Sequence, residues 1–160
     1  MADRTIKGFS TLQDDLVAKL LRFMSIVQTW VFKKTNGYLF NTFLLMAPVG
    51  ILTTKGRKSG EWREVSLVYQ LVDGKIIIIA SKAGCSTHPI WYLNLQANAE
   101  CKMQTRGKPV TMRAREAIGE EKDYYWNKMI AVYKGFNTYR ARANSAAGRE
   151  VPLIVLEPVR

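Results

Sequence analysis

The chain has 160 residues, of which 48% are hydrophobic and 23% are charged, so it is long enough for one domain with its own core and is not a disordered chain. Lysine and arginine (24) outnumber aspartate and glutamate (13), and the net charge of +11 predicts an anionic partner. That partner could be nucleic acid, an anionic membrane surface or an anionic cofactor.

Cys85 and Cys101 do not have the spacing of metal ligands, and the one histidine does not complete a zinc site with them. We therefore expect no metal centre. The N-terminus lacks a basic segment followed by an unbroken apolar one, so no secretory signal is predicted. The expected location is the cytoplasm, with reduced thiols.

The N-terminal segment, residues 1–34, is predicted to hold an amphipathic helix from about residue 11 to residue 33. Ser10 and Gln13 match a capping box, and Lys33-Lys34 is typical of a helix end. Apolar residues recur between them at helical spacing. The segment therefore has one apolar and one polar face.

Two placements are open for this helix. The first, which we expect, is packing of its apolar face on the domain. The charges of Lys19 and Arg22 argue against a membrane span. The alternative is a helix that lies on a membrane surface, with Trp30, Phe32 and Lys33-Lys34 at the interface.

Three strands joined by hairpins are predicted next. Residues 51–54 lead into a basic turn, residues 65–72 lead out of it, and Asp73-Gly74 is a two-residue hairpin signal. Residues 75–80 form a continuous aliphatic run, which predicts a strand buried on both faces. The apolar stretch before these strands, residues 37–47, is expected to belong to the core or to line a pocket.

The basic turn between the first two strands is unusual in its charge. Lys55, Arg57, Lys58 and Arg63 lie within nine residues, beside glycines that let backbone N–H groups approach a ligand. Such a turn is either an anion site or a solvated basic hairpin. The residues of the turn alone leave both readings open.

The aliphatic strand is followed by small residues and then by a short predicted helix. Thr87 or His88 is expected to cap this helix, with Pro89 in its first turn. A loop of small residues that feeds a helix N-terminus is a second candidate anion site, to which Lys82 adds a charge. Three residues are predicted to share one face of the helix: Ile90, Trp91 and Asn94.

The second half of the chain continues with two strands, residues 100–105 and 109–117, whose alternating charges predict one solvated face. A helix is predicted to begin near Gly119 and to end at Gly135-Phe136, followed by a polar segment. Residues 151–156 form the last predicted strand. Antiparallel strands with a helical N-terminus and a helix inserted mid-sheet predict an α+β barrel with flanking helices, folded as a single domain over residues 1–160.

Four motifs occur in a fixed order: Thr54-Lys55-Gly56-Arg57-Lys58-Ser59-Gly60, Asp73-Gly74, Ala80-Ser81-Lys82-Ala83-Gly84 and His88-Pro89-Ile90-Trp91-Tyr92-Leu93-Asn94-Leu95. With these motifs the chain, from about Leu45 to Pro158, resembles the deazaflavin-dependent nitroreductase family. This family contains the coenzyme F420-dependent quinone and nitroimidazole reductases of actinobacteria. The resemblance implies a split β-barrel that binds reduced coenzyme F420, a deazaflavin with a phosphate and an oligoglutamate tail.

The resemblance also assigns site residues by position. The charged tail of the cofactor is assigned to the basic turn, through Lys55, Arg57, Lys58 and Arg63. The cofactor is expected to be flanked along the outgoing strand by Ser66 and Tyr69. Its ring and phosphate are expected to meet Ala80, Ser81 and Lys82. The opposite wall is assigned to Pro89, Ile90, Trp91 and Asn94.

The chain departs from the family pattern at three places. Ala83-Gly84 stands where a Gly-Gly pair is common, and His88 precedes the proline where Asn is common. Phe136 takes the place of a tyrosine in the nitroimidazole-reducing member. Because a hydroxyl is missing there, we do not carry over that member's specificity for its prodrug.

The implied reaction is hydride transfer from C5 of the deazaflavin to a quinone, an activated alkene or a nitro compound. The acceptor is expected in an aromatic pocket made by Tyr133, Phe136 and Tyr139. The proton is expected from Tyr133, from Tyr139 or from solvent. The cofactor carries this chemistry, which agrees with the absence of a Ser-His-Asp, paired-carboxylate or metal motif in the sequence.

Three alternatives remain at the level of sequence. One is an oxidoreductase that uses flavin mononucleotide on the same barrel. Another is a basic nucleic-acid-binding module, although no helix-turn-helix, zinc-finger or RNA-recognition signature is present. The third is a membrane-surface protein held by its N-terminal helix on the inner face of the cell membrane, which is compatible with quinone reduction.

Overall fold

The computed structural model describes residues 7–37, 42–43 and 47–159. The elements, in chain order, are α1 (Thr11–Lys34), β1 (Thr42–Phe43), β2 (Ala47–Lys55), β3 (Trp62–Val72), β4 (Lys75–Ile79), a 3-10 turn (Lys82–Gly84), α2 (Ile90–Ala97), β5 (Glu100–Gln104), β6 (Val110–Glu116), α3 (Gly119–Val132), α4 (Gly135–Ala147) and β7 (Leu153–Pro158). Most of the apolar stretch over residues 37–47 lies outside the described residues, and Ala47 at its end is buried.

Six strands close into an antiparallel barrel, which confirms the predicted α+β split barrel. Their order is β2-β3-β4-β7-β6-β5, and β5 pairs back with β2, where Thr54 lies opposite Cys101. The short strand β1 extends the sheet beside the start of β2. Each of these six strands thus pairs with a neighbour on both sides, although β4 reaches only residues 69–72 of β3.

The aliphatic run of β4 is buried on both faces, as predicted. Ile76 and Ile78 belong to the barrel interior, to which all six strands and α2 contribute. Ile77 and Ile79 point outward and pack with residues of α3 and α4. Because its side chains point alternately to each of them, this strand joins the two cores of the protein. Each fully buried aliphatic side chain stabilises the fold by about 1.5–3 kcal/mol.

The turn between β3 and β4 is the predicted two-residue hairpin. Asp73 and Gly74 both adopt left-handed φ angles, 51° and 75°. This is the type of turn that matches the twist of the adjacent strands. The two flanking strands therefore pair in the register that places Val72 opposite Lys75.

The segment after Gly135-Phe136, predicted only to be polar, forms a helix that the sequence analysis did not predict. The helix α3 ends at Val132, and a second helix, α4, begins at Gly135 and runs to Ala147. It buries only Phe136 and Ala143, which are seven residues apart on one face. A helix that contacts the core through so narrow a stripe gives little apolar periodicity in the sequence.

The helix α1 has the predicted bounds and the predicted capping box. The backbone N–H of Ser10 donates to Gln13 Oε1 at 3.0 Å, and the backbone N–H of Gln13 donates to Ser10 Oγ at 3.4 Å. Such reciprocal bonds satisfy donors that a helix start would otherwise leave unpaired. The sequence therefore located this helix to within one residue at each end.

The face by which α1 packs on the barrel is the opposite of the expected one. Ser25 Oγ accepts a hydrogen bond from the backbone N–H of Ser66 at 3.1 Å, and Asp14 accepts one from the backbone N–H of Ser86 at 2.8 Å. The apolar face is exposed instead: Leu12, Leu16, Leu20, Phe23, Met24, Ile26, Val27 and Trp30. Small and polar side chains, together with the buried Phe32, thus hold the helix in place.

The exposed face of α1 changes the membrane alternative in one detail. Trp30 is 62% exposed, as a residue at an interface would be, whereas Phe32 is fully buried. The expectation that Phe32 contacts a membrane is therefore wrong. No helix in the described part of the chain is long and apolar enough to cross a membrane.

Candidate functional site

Strand directions bring the two candidate anion sites to the same end of the barrel. Because β2 and β4 are both antiparallel to β3, both run toward the end where the basic hairpin, residues 55–63, leaves β2. The loop after β4, residues 80–87, lies at this end as well. We call it the hairpin end of the barrel.

The basic hairpin is closed by its own backbone. The N–H of Gly56 donates to the carbonyl of Glu61 at 2.8 Å, and the N–H of Gly60 donates to the carbonyl of Gly56 at 2.8 Å. Gly60 has a φ of 72°, a conformation that glycine adopts without a steric cost. The turn is therefore a defined structure that can present side chains in fixed directions.

Four exposed cations lie on this hairpin: Lys55, Arg57, Lys58 and Arg63. Within residues 7–37, 42–43 and 47–159, none of the four forms a salt bridge. The neighbouring carboxylate of Glu64 forms a salt bridge with Lys33, and Lys33 Nζ lies 2.9 Å from Glu64 Oε1. Against the one carboxylate of the hairpin, Glu61, its four cations leave an excess of positive charge, as a site for a polyanion requires.

Asn94 of α2 joins the base of the hairpin to the helix. Its Oδ1 accepts a hydrogen bond from the backbone N–H of Arg57 at 3.1 Å, and its Nδ2 donates to Thr54 Oγ1 at 3.2 Å. Asn94 is only 2% exposed. The resemblance assigned Asn94 to the cofactor wall, and the structure places its side chain as the bracket between the hairpin and α2.

The start of α2 differs from the prediction. Pro89 is the N-cap residue rather than a first-turn residue, and neither Thr87 nor His88 caps the helix with its side chain. His88 Nδ1 instead lies 3.4 Å from Arg149 Nη1, and burial lowers the pKa of His88. A ring nitrogen beside a guanidinium accepts a hydrogen bond only when it is unprotonated.

The predicted shared face of α2 is also wrong. Trp91 and Asn94 are buried, whereas Ile90 is 68% exposed. Trp91 belongs to the barrel interior and meets Tyr92 edge-on, with ring centroids 6.4 Å apart. Ile90 is the first helical residue and lies at the exposed end of the helix, while Pro89 behind it is buried.

The loop between β4 and α2 has an uncommon backbone. Lys82, Ala83 and Gly84 have successive left-handed φ angles of 48°, 52° and 83°, after a right-handed Ser81. A right-handed residue followed by a left-handed one points successive N–H groups into one concavity, which favours an anion. Within the residues that the structure describes, the N–H groups of Ser81, Lys82 and Ala83 donate to no acceptor.

The side chains of this loop have different environments. Ala80 and Ser81 are buried, so they can meet a ligand mainly through their backbone. Lys82 is partly exposed, and its Nζ donates to Thr87 Oγ1 at 2.6 Å. The loop therefore offers backbone donors and one ammonium group at the hairpin end.

The two candidate residues on β3 lie on opposite faces of the strand. Tyr69 packs against the barrel interior. Ser66 lies under α1, where its hydroxyl donates to Gln28 Oε1 at 3.0 Å. Side chains three positions apart in a strand point in opposite directions, so these two residues do not line one groove from the same face.

The three candidate acceptor residues form an aromatic cluster at the start of α4. The hydroxyl oxygens of Tyr133 and Tyr139 are 3.0 Å apart. Phe136 meets the ring of Tyr133 edge-on, at a centroid distance of 5.3 Å. Because Phe136 is only 5% exposed, it supports the two tyrosines from the core and does not offer an open surface.

The backbone of α4 at Tyr139 lies against the loop at the hairpin end. A Cβ at Gly84 would come within 2.8 Å of the backbone carbonyl of Tyr139, so α4 packs directly on the loop backbone. Burial, with the hydrogen bond to Tyr133, raises the pKa of Tyr139 well above its usual value. Its hydroxyl therefore keeps its proton at neutral pH.

A cleft of about 490 Å³ lies elsewhere, between α1 and β3. Its lining includes Trp30, Lys33 and Glu64 but neither tyrosine of the pair. In the described part of the chain, no group of three or more His, Cys, Asp or Glu residues could hold a metal ion. Strand direction thus brings the hairpin and the loop to one end of the barrel, and the backbone of α4 at Tyr139 contacts that loop.

Sequence reasoning missed Arg149, which lies buried under the loop. It follows α4 in a short connection and belongs to no motif or apolar period. No local signal distinguishes it from the other arginines of this basic chain, because its partners lie more than sixty residues away.

Comparison with known proteins identifies the family of the chain. The family model for F420H(2)-dependent quinone reductase matches residues 24–158. An F420H(2)-dependent quinone reductase of Mycobacterium tuberculosis is 29% identical over 126 residues, which cover 79% of this chain and 84% of that protein.

Solved structures give the same result. The structure of an F420-H2 dependent reductase, FDR-A, is 33% identical with a TM-score of 0.62, and the match covers 69% of this chain and 94% of that chain. A structure described as a domain-swapped dimer is 32% identical with a TM-score of 0.63, over 81% of this chain and 98% of the other. The chain therefore belongs to the F420H(2)-dependent quinone reductase family, whose members are enzymes with reduced coenzyme F420 as their cofactor.

Proposed function

We propose that the protein reduces an electron-poor small molecule, a quinone in the first place and also an activated alkene or a nitro compound, with reduced coenzyme F420 held at the hairpin end of the barrel. The observation that carries this proposal is the set of four exposed hairpin cations without a carboxylate partner in the described structure. A cofactor with a phosphate and several carboxylates needs such a set.

The residues of the hairpin end fit the two anionic parts of this cofactor. Lys55, Arg57, Lys58 and Arg63 would hold the oligoglutamate tail, since all four side chains are exposed within nine residues of one turn. The undonated N–H groups at residues 81–83 and the ammonium of Lys82 would hold the phosphate. The bracket through Asn94 would keep the hairpin at a fixed distance from α2.

The acceptor is proposed to bind at Tyr133 and Tyr139, with Phe136 behind them. When bound, the reduced cofactor supplies the hydride. The chain must hold the two reacting carbons at about 3–3.5 Å. The contact of the Tyr139 backbone with the loop supports a position of the tyrosine pair near the cofactor. A quinone that has received a hydride needs one proton to become a hydroquinone, and the proposed donor is the hydroxyl of Tyr139, which is hydrogen-bonded to Tyr133.

Anaerobic oxidation of reduced coenzyme F420, followed optically, tests this function. Quinone, enone and nitro acceptors are each compared with a reaction that lacks an acceptor. We expect saturable oxidation with the quinone. The proposal is wrong if the protein binds the cofactor and yet none of the three acceptors raises the rate above the control.

The exposed apolar face of α1 supports a second proposal, that the protein lies on an anionic membrane surface. Nine large apolar side chains of this helix are exposed, and Lys19 and Lys34 are exposed beside them. Burial of such a face in the interface, together with a net charge of +11, would hold the chain on the inner face of a membrane.

Replacing Leu16 and Phe23 by glutamate is expected to lower the fraction of protein that sediments with vesicles of phosphatidylglycerol and phosphatidylcholine by about tenfold. The reason is that two apolar side chains that the lipid would bury are lost. Both side chains are exposed, so the fold should remain intact. The matched control is Leu71→Glu with Ile118→Glu, which changes two exposed apolar residues away from α1. Equal losses in the two double variants would show that α1 is not the contact.

A further inference from the structure

Arg149 is a buried cation whose donors all point at the loop between β4 and α2. Its Nε donates to the carbonyl of Cys85 at 2.9 Å, its Nη1 to that of Ala80 at 3.2 Å and its Nη2 to that of Ser81 at 2.7 Å. The residue is 7% exposed. One guanidinium therefore fixes three carbonyl groups of a single loop.

Among the described residues no carboxylate contacts Arg149, and that of Asp14 acts on it only through its charge. Within the described residues, Arg149 takes part in no salt bridge, and burial lowers its pKa. A buried charge without a counterion is costly, and carbonyl dipoles offset only part of that cost. An anion on the opposite side of the loop would supply the missing compensation.

Arg142 adds a second clamp from α4. Its Nη1 donates to the carbonyl of Ala83 at 3.1 Å, and its guanidinium lies 4.2 Å from the ring centroid of Phe9. The two arginines together engage the carbonyls of Ala80, Ser81, Ala83 and Cys85. The N–H groups of residues 81–83 are left for a ligand.

The backbone of the loop needs such support. Lys82 and Ala83 are in the left-handed region, which residues with a Cβ adopt at a free-energy cost unless their surroundings hold them there. Neither residue is the kind, glycine or asparagine, that adopts this conformation readily. The arginine clamps bond the carbonyls on both sides of this pair.

We infer that Arg149, assisted by Arg142, is a positioning residue for the cofactor phosphate: it holds residues 80–85 in the conformation that directs their N–H groups toward the anion, without touching the cofactor itself. This inference rests on the proposed placement of the cofactor phosphate on the loop. It adds two residues to the site that are behind the binding surface and belong to none of the four motifs.

The test uses Arg149→Lys and Arg142→Lys, which keep the charge and remove the forked geometry. Arg140→Lys is the matched control, because Arg140 lies on the same helix but stacks on Trp126 and does not touch the loop. Binding of oxidised coenzyme F420 and of a deazaflavin truncated before its phosphate is measured by fluorescence titration. Amide hydrogen exchange at residues 81–86 is measured in the protein without cofactor.

We expect Arg149→Lys to weaken binding of the whole cofactor at least tenfold and to leave binding of the truncated deazaflavin within about twofold. Exchange at residues 81–86 should become faster, and the KM of the quinone at saturating cofactor should not change. Arg142→Lys should show a smaller effect of the same kind. A merely structural role would instead weaken both ligands equally.

Two failures are distinguishable. If the wild-type protein binds the truncated deazaflavin as tightly as the whole cofactor, the proposed placement of the phosphate is wrong. If it prefers the whole cofactor and both arginine variants keep that preference, only the inference about the arginines is overturned. Should Arg149→Lys not fold, Arg142→Lys decides the question, because Arg142 is only partly buried.

Discussion

Replacing Lys55 and Lys58 by alanine is expected to weaken binding of coenzyme F420 by about 100-fold. Each charge-assisted hydrogen bond to an anionic oxygen is worth about 1.5 kcal/mol, and loss of two corresponds to about 3 kcal/mol. Neither lysine has a carboxylate partner in the described structure, so no internal pair is broken by the change. Fluorescence titration at low and high salt measures the effect, which should shrink at high salt.

The matched control for this variant removes the same charge at the other end of the barrel. Arg106 and Lys108 lie in the turn between β5 and β6, and β5 runs antiparallel to β2, so this turn is far from the hairpin end. Arg106→Ala with Lys108→Ala should bind the cofactor as the wild type does. If both double variants lose affinity equally, the net charge of the protein attracts the cofactor and the hairpin does not grip its tail. Unfolding temperatures should be unchanged in both, since the four side chains are exposed.

The strands were predictable because their sequence signals are local. The run from Ile76 to Ile79 needs apolar partners on both faces, and the barrel interior and the helices α3 and α4 provide them. Asp73-Gly74 encodes a turn in two residues. Where a short window of sequence determines the conformation, the prediction was confirmed.

The orientation of α1 was not predictable in this way. Its pattern shows that the two faces differ, but it does not show which face the barrel takes. The barrel presents backbone N–H groups at Ser66 and Ser86, and these need the acceptors that Ser25 and Asp14 provide. The polar face therefore packs inward, and the apolar face remains for another partner.

The motifs of the family predicted the candidate site residues but not the residues that these contact. Asn94 and Arg57 are 37 positions apart, and Arg149 and Ala80 are 69 positions apart. Contacts over such separations depend on how the strands close into a barrel, which no single motif encodes. For this reason the motifs predicted that Asn94 contacts the cofactor and predicted no role for Arg149.

Tyr133→Phe and Tyr139→Phe are each expected to lower kcat/KM for a quinone by about 100-fold, because a positioned proton donor contributes at least this much. The affinity for coenzyme F420 should not change, since the hairpin and the loop remain intact. The two hydroxyls are 3.0 Å apart and would act as one unit, so the double variant should lose little more than either single variant. Wild-type turnover in the double variant would mean that the proton comes from solvent.

The variant Gly135→Ala tests whether turnover needs the Tyr133 hydroxyl in its observed position or only its presence. A Cβ at Gly135 would overlap the ring and hydroxyl of Tyr133, so this side chain must move while both hydroxyls are kept. The φ angle of Gly135 is not left-handed, and alanine is compatible with the first turn of α4. We expect Gly135→Ala to lose quinone turnover nearly as far as Tyr133→Phe does, with unchanged cofactor affinity. Gly135→Ala could instead keep full quinone turnover while Tyr133→Phe loses it. The hydroxyl would then act from more than one position, and its hydrogen bond with Tyr139 would not be required.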